Sequence, residues 1–289
     1  MTRAREWKLA RRTLVYGART LVMGILNVTP DSFSDGGRFQ ALERALAHAA
    51  EMHAAGACII DIGGESTRPG GESVSTEEEL RRIVPVVERL HAELPEAVIS
   101  VDTTKAEVAR RALEAGAEIV NDISGLRFDE RVADEAARAG AGLVLMHSRG
   151  TPATLHSQPP VPNILPEVTD GLRRSITKAV ARGVAQAQLA IDPGIGFGKT
   201  QQQNLELLAR LDALAAEFPD FPLLVGTSRK SFIGHLLGGV PSEERLHGTL
   251  ASVTAAILGG AHIVRVHDVR PAVETARIAD GIRAMTSDE

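Results

Sequence analysis

The 289-residue chain has one cysteine, Cys58, so no internal disulfide can staple it, which fits a reducing compartment. It also lacks a basic excess: 32 Lys and Arg face 37 Asp and Glu, a formal charge of −5. That balance argues against nucleic acid or an anionic membrane as the main partner. No long apolar run is present. The longest stretch without Asp, Glu, Lys or Arg, Leu246 to Val264, contains His247, Gly248, Ser252 and His262, and reads as a helix followed by a strand. Arg11-Arg12 resembles a twin-arginine signal, but Arg19 interrupts the apolar stretch behind it, so mature, soluble and cytoplasmic sequence is expected. The missing His-Glu-x-x-His pattern and the lone thiol exclude a zinc site, and no Gly-x-Ser-x-Gly elbow marks a serine hydrolase. Lysine is scarce too. Of Lys8, Lys105, Lys178, Lys199 and Lys230, three fall directly after apolar runs.

Those runs are Leu21–Asn27, 57–63, 98–103, 118–122, 143–147, 188–192, 223–227 and 261–267. Each is short and nearly continuously apolar, as strands buried on both faces are. Helical patterns lie between them at 41–55, 77–94, 106–115, 130–139, 166–181, 202–218, 243–258 and 272–285, several closed by Gly or Pro. Eight strands alternating with eight helices predict an α/β protein with one (β/α)8 TIM-barrel domain over residues 21–289. A doubly wound sheet is the structural alternative. Residues 1–20 are expected to form a short hairpin-like extension at the barrel bottom, with Thr13–Tyr16 pairing across the turn at Gly17-Ala18.

Polar groups collect where the expected strands end: Asn27, Asp61, Asp102, Asn121-Asp122, His147, Asp192, Ser228-Arg229-Lys230, and Arg265 with His267. In a barrel these ends share one rim, the face that carries active sites. Two Gly-rich polar segments, 27–37 and 63–71, have the make-up of lids, and Thr67 with Arg68 could grip a phosphate. The segment Asp192-Pro-Gly-Ile-Gly-Phe-Gly-Lys199 has neither dinucleotide nor P-loop spacing. Its acid and its Phe suit a flat heteroaromatic ring instead. Arg265 and His267 point to one face and suit an oxyanion, although a structural pair between Arg265 and Asp268 is a competing account. The rim therefore offers acids and an amide for a polar ring, with cations and hydroxyls for phosphates.

From Met23 to Val269 these motifs resemble the dihydropteroate synthases, notably at 23–37, 61–70, 100–105, 121–125, 145–152, 192–200, 226–234 and 265–269. The resemblance implies condensation of 6-hydroxymethyl-7,8-dihydropterin diphosphate with 4-aminobenzoate, with Mg²⁺ as cofactor, in a homodimer targeted by sulfonamides. It assigns Asp102, Asn121, Asp192 and Lys230 to the pterin, Asn27 to Mg²⁺, and Thr67, Arg265 and His267 to the diphosphate. Phe33, Arg68, Pro69, Phe197 and Ser228 would shape the aminobenzoate site, with Asp35 nearby. Asp35, Asp102 and Lys230 are the expected catalytic residues. Two other readings stand beside it. A corrinoid methyltransferase would share the ring-binding acids but needs no diphosphate grip, and a non-catalytic pterin-binding barrel would have eroded lids.

Overall fold

The structure, a computed structural model, describes residues 4–28, 37–65, 74–151, 154 and 158–286. After a two-stranded hairpin, β1 (Arg5–Lys8) and β2 (Thr13–Tyr16), eight parallel strands form one sheet. They are β3 (Leu21–Asn27), β4 (Ile59–Gly63), β5 (Val98–Asp102), β6 (Ile119–Asp122), β7 (Gly142–Met146), β8 (Leu189–Asp192), β9 (Leu224–Val225) and β10 (Ile263–Val266). The order runs β8-β7-β6-β5-β4-β3-β10-β9, and a parallel bridge between Ile191 and Leu223 closes the ring. The expected barrel is present.

Helices α1 (Gly37–Ala54), α2 (Thr76–Glu93), α3 (Ala106–Ala115), α4 (Arg131–Ala139) and α5 (Ile164–Ala181) follow β3 to β7 in turn. Then come α6 (Gln201–Ala209), α7 (Leu211–Glu217), α8 (Ser231–Leu236), α9 (Leu246–Leu258) and α10 (Val269–Thr286). α5 and α10 start earlier than their sequence patterns, ahead of Pro166 and Pro271. Proline is tolerated in a first turn, where N–H groups have no partner inside the helix. The single helix expected over 202–218 is broken at Arg210, and the short α8 has no counterpart among the expected helices. β9 is shorter than expected because the chain leaves the ladder at Gly226 and turns, Lys230 N–H donating to Thr227 O at 3.2 Å.

The extension differs in one respect from expectation. Thr13–Tyr16 pairs antiparallel with Arg5–Lys8, across a turn closed by Leu9 N–H to Arg12 O at 2.9 Å, and not across Gly17-Ala18. The hairpin brings Trp7, Leu9 and Tyr16 against Met23, Ile59, Val98, Ile119, Val144, Ala190, Leu224 and Ile263, one side chain from each barrel strand. Trp7 is fully buried and donates Nε1–H to Gln188 O at 2.8 Å. The hairpin thus shares the barrel's core and seals its bottom through Trp7, Leu9 and Tyr16.

Candidate active site at the barrel mouth

That apolar layer fixes what lies above it. Side chains two residues apart on a strand point the same way. One step up from the plug, the inward positions become Asp61, Ser100, Asn121, Met146, Asp192 and Arg265; a second step reaches Asn27, Gly63, Asp102, Ser228 and His267. Register agrees: Asn27, Gly63, Asp102 and Asn121 lie side by side across β3 to β6, and Met146 lies beside Asp192. Residues far apart in the chain therefore meet above one hydrophobic floor.

Arg265 holds the centre. Its Nε donates to Asp61 Oδ2 at 2.6 Å and its Nη2 to Asp102 Oδ2 at 2.7 Å. Nη1 has no partner among the described residues. The competing pair with Asp268 is not formed, since Asp268 takes Arg229 at 2.7 and 3.1 Å. Asn121 Nδ2 reaches the same Asp61 oxygen at 3.0 Å. Asp61 is fully buried, and its Oδ1, like Ser100 Oγ beside it, has no hydrogen-bond partner among the described residues. Orphaned polar atoms of this kind call for an explanation, and a polar ligand supplies one. Asp61 was visible in the sequence as the one acid inside Ile-Ile-Asp-Ile-Gly, yet its part as the hub was not. That depends on Asn121 and Arg265 reaching it from two other strands.

Asp192 Oδ1 accepts Gly194 N–H at 2.7 Å. Burial pushes its carboxyl up to about 6, against the pull of that bond and of Lys230. Burial likewise raises Asp102, with Arg265 opposing it and Asp61 adding to it. Lys230 is drawn down to about 8 by burial and by Arg265. Its Nζ stands 3.9 Å from the centre of the Phe197 ring, a cation–π contact that also fixes the ring beside Met146. Three acids and two cations so placed nearly balance; burial moves Asp102, Asp192 and Lys230 toward neutrality, while the acids around Arg265 raise its proton affinity further.

The Gly-rich loop after β8 belongs to Lys199, whose ammonium donates to His147 O at 3.1 Å, Gly194 O at 2.8 Å and Phe197 O at 3.1 Å. Three carbonyls match its three protons, so this lysine shapes the loop and offers nothing to a phosphate. Gly194 is at φ +67°, and a Cβ there would overlap His147 O.

Ser228 and Lys230 flank Arg229, which lies at φ +58° although it is not glycine. Thr249 Oγ1 accepts its N–H at 3.0 Å, Arg245 Nη1 donates to its carbonyl at 2.9 Å, and Asp268 takes its guanidinium. A conformation this uncommon persists only where its surroundings over-determine it, and here it aims its two neighbours inward. Ser228 Oγ lies 3.0 Å from His267 Nδ1. Lys105 stands apart from the mouth cluster: its ammonium joins Glu65 at 2.7 Å, buried Glu79 at 2.5 Å and Val74 O at 2.8 Å. Asp122 caps its own turn through Ser124 and Leu126. Phe33, Asp35, Thr67, Arg68 and Pro69 lie outside the described residues.

A closed parallel barrel whose strand ends pool acids, an amide and cations over a sealed floor defines a barrel enzyme that takes a small polar ligand at its mouth. Residues 23–267 match the family described as pterin binding enzyme. A dihydropteroate synthase of Synechocystis is 49% identical, over 92% of this chain and 91% of that protein. A Yersinia pestis dihydropteroate synthase solved with a sulfonamide drug superimposes at a TM-score of 0.89 and 44% identity, covering 97% and 100% of the two chains. The Xanthomonas albilineans enzyme solved with 4-aminobenzoic acid gives 0.88 and 42%, over 97% and 99%. The chain belongs to the pterin binding enzyme family, on its dihydropteroate synthase branch.

Proposed function

We propose that the chain joins 6-hydroxymethyl-7,8-dihydropterin diphosphate to 4-aminobenzoate, forming the C–N bond of 7,8-dihydropteroate and releasing diphosphate. The observation that carries this is the inward layer of Asp61, Asn121, Asp192 and Arg265, supplied by four strands of a chain whose relatives are dihydropteroate synthases. Ionised Asp192 accepts ring and amino N–H groups of the pterin, and Asn121 and Lys230 meet its carbonyl edge and ring nitrogens. Arg265 keeps Asp61 and Asp102 in place and turns its free Nη1 toward the diphosphate, where His267 and Thr67 join it. By the resemblance, Phe33, Arg68, Pro69, Phe197 and Ser228 would border the aminobenzoate, with Asp35 nearby.

An arylamine is neutral and nucleophilic at pH 7, so no strong base is required. The exocyclic C–O bond to diphosphate breaks, the amine nitrogen bonds to that carbon, and the new cation sheds its extra proton. We place bond breaking first, because the electron-rich dihydropterin can carry positive charge while Asp102 stabilises it and the cations receive the leaving anion. Rates that barely change with arylamine nucleophilicity support that order; steep dependence contradicts it. Exclusion of water by the 27–37 and 63–71 segments protects the cationic carbon.

Magnesium fits this site as a companion of the diphosphate. Among the described residues no cluster of three His, Cys, Asp or Glu makes a cage. A Cβ on Gly63 would stand 3.6 Å from Asn27 Oδ1 and 3.7 Å from Asp102 Cβ, so an amide oxygen and a carboxylate flank a bare backbone patch. Few protein oxygens plus phosphates and water is what Mg²⁺ prefers. Asn27 would hold it, and the ion would neutralise the leaving charge.

A homodimer is part of the same reading. Ile278, Ile282 and Met285 share one face of α10 at 68%, 48% and 72% exposure, with Leu258 of neighbouring α9 at 46%. Ile278→Ser should shift sedimentation toward a monomer if that face is the interface; unchanged sedimentation places the interface elsewhere. No helix among the described residues is long and apolar enough to cross a membrane, in keeping with the cytoplasmic placement we propose.

The test is incubation with the pterin diphosphate, 4-aminobenzoate and Mg²⁺. Dihydropteroate should form, and omission of any one component should stop it. No product with all three present overturns the proposal.

A further inference from the structure

Met146 turns into the barrel against Phe197, so the next side chain of the chain, His147, turns outward to α5. It is received there by Gly171, where a Cβ would collide with the imidazole Cδ2. A glycine in mid-helix costs about 1 kcal/mol, and here it makes room for the ring. His147 lines a cavity of about 390 Å³ between the loops after β6 and β7 and the face of α5. Asp102, Asn121, Asp192 and Lys230 take no part in that wall; of the inward positions at the mouth only Met146 borders it.

The wall is cationic. Arg127, Arg149, Arg174 and Lys178 face one acid, Glu167. Arg127 is braced by Gly150 O and Ser148 Oγ, both at 2.9 Å, and Arg149 by Pro159 O at 2.8 Å and Gly198 O at 3.0 Å. Arg174 has no partner among the described residues. Buried His147 Nδ1 has none either. Burial and the surrounding cations Lys199, Arg127, Arg149 and Arg174 hold the imidazole well below its usual range. Two braced guanidiniums, a free one, an ammonium and an idle ring nitrogen converge on a space larger than a bare oxyanion fills.

We propose that this cavity is a second ligand site, outside the mouth's cluster of acids and cations, which takes the phosphate group of a small organic phosphate. It does not rest on the reaction proposed above, so product formation and occupancy of this cavity stand or fall separately.

The test uses the full chain, calorimetry and ¹⁵N-imidazole NMR, with inorganic phosphate and adenosine monophosphate as probes. Wild type should bind saturably, with the His147 ring signals moving during the titration. In the Arg174→Ala, Lys178→Ala double variant, both changes lying on exposed positions of α5, affinity should fall by about tenfold or more, while any dihydropteroate formation stays at the wild-type rate. Tighter binding of the nucleotide than of phosphate identifies an ester as the ligand; equal binding identifies free phosphate. A double variant that binds both probes like wild type, or a His147 signal that does not move, overturns the proposal.

Discussion

The two ends of the same eight strands differ more than any other two regions of the molecule. At the bottom, eight side chains and the hairpin's Trp7, Leu9 and Tyr16 form an unbroken apolar plug. Two residues further along, the same faces carry Asp61, Asn121, Asp192 and Arg265. The plug lets the mouth be dry from below, and dryness is what lifts Asp192 to about 6 and lowers Lys230 to about 8. The bottom has its own buried acid, Glu118, but there Arg12 answers it at 3.0 Å from a position open to water. The contrast assigns stability to one end and chemistry to the other.

Substitutions can break that division. The largest effect is expected for Arg265→Met, which strands Asp61 and Asp102: roughly 3–5 kcal/mol of stability with loss of turnover, read by denaturant unfolding and product assay. A near-normal unfolding midpoint would show that the two acids do not depend on it. Trp7→Ala should cost about 3–5 kcal/mol of stability as well, yet leave kcat/KM intact where the variant is folded. A specific loss of kcat/KM would mean that the plug shapes the site directly. Asp192→Ala should weaken pterin binding by about two powers of ten, from unpaired donors facing an apolar wall, with a small change in stability. Undiminished affinity by calorimetry would remove Asp192 from the site.

Proton linkage sharpens the same comparison. A carboxyl raised from 3.8 to about 6 binds its proton more tightly folded than unfolded, so its contribution to stability is present at low pH and lost as pH rises through about 6. Function runs the other way. Pterin binding needs the carboxylate and should weaken below about 6, and Lys230 loses its charge above about 8. A bell-shaped kcat/KM profile with limbs near those values is expected; a flat profile across them would contradict the assignment. The smallest effect is at the bottom: Arg12→Ala should cost about 1 kcal/mol, because Arg12 is itself part-exposed and Arg11 still stands 3.8 Å from Glu118, with no change in the pH profile.

The period of apolar runs made the barrel legible, since strands buried on both faces read as continuous apolar segments and their helices carry clear stop signals. The polar residues at the strand ends were legible for the same reason. What sequence could not reveal was pairing across strands. Arg265 was equally compatible with Asp268 or an oxyanion, and only the closed ring brings Asp61 and Asp102 under it. Lys199 and Lys230 looked alike, both lysines after strands, yet carbonyls claim one and an aromatic ring holds the other. The hairpin partner of Thr13–Tyr16 was missed because Arg5–Lys8 is mostly charged, and its one decisive side chain is Trp7.

The account stands most directly on where the pterin ring goes. A crystal of the protein grown with 7,8-dihydropterin should place the ring above the apolar floor, with its N–H edge on Asp192 and its far side within reach of Asn121 and Lys230. A ring bound anywhere but the mouth, or one that leaves Asp192 untouched, would contradict it.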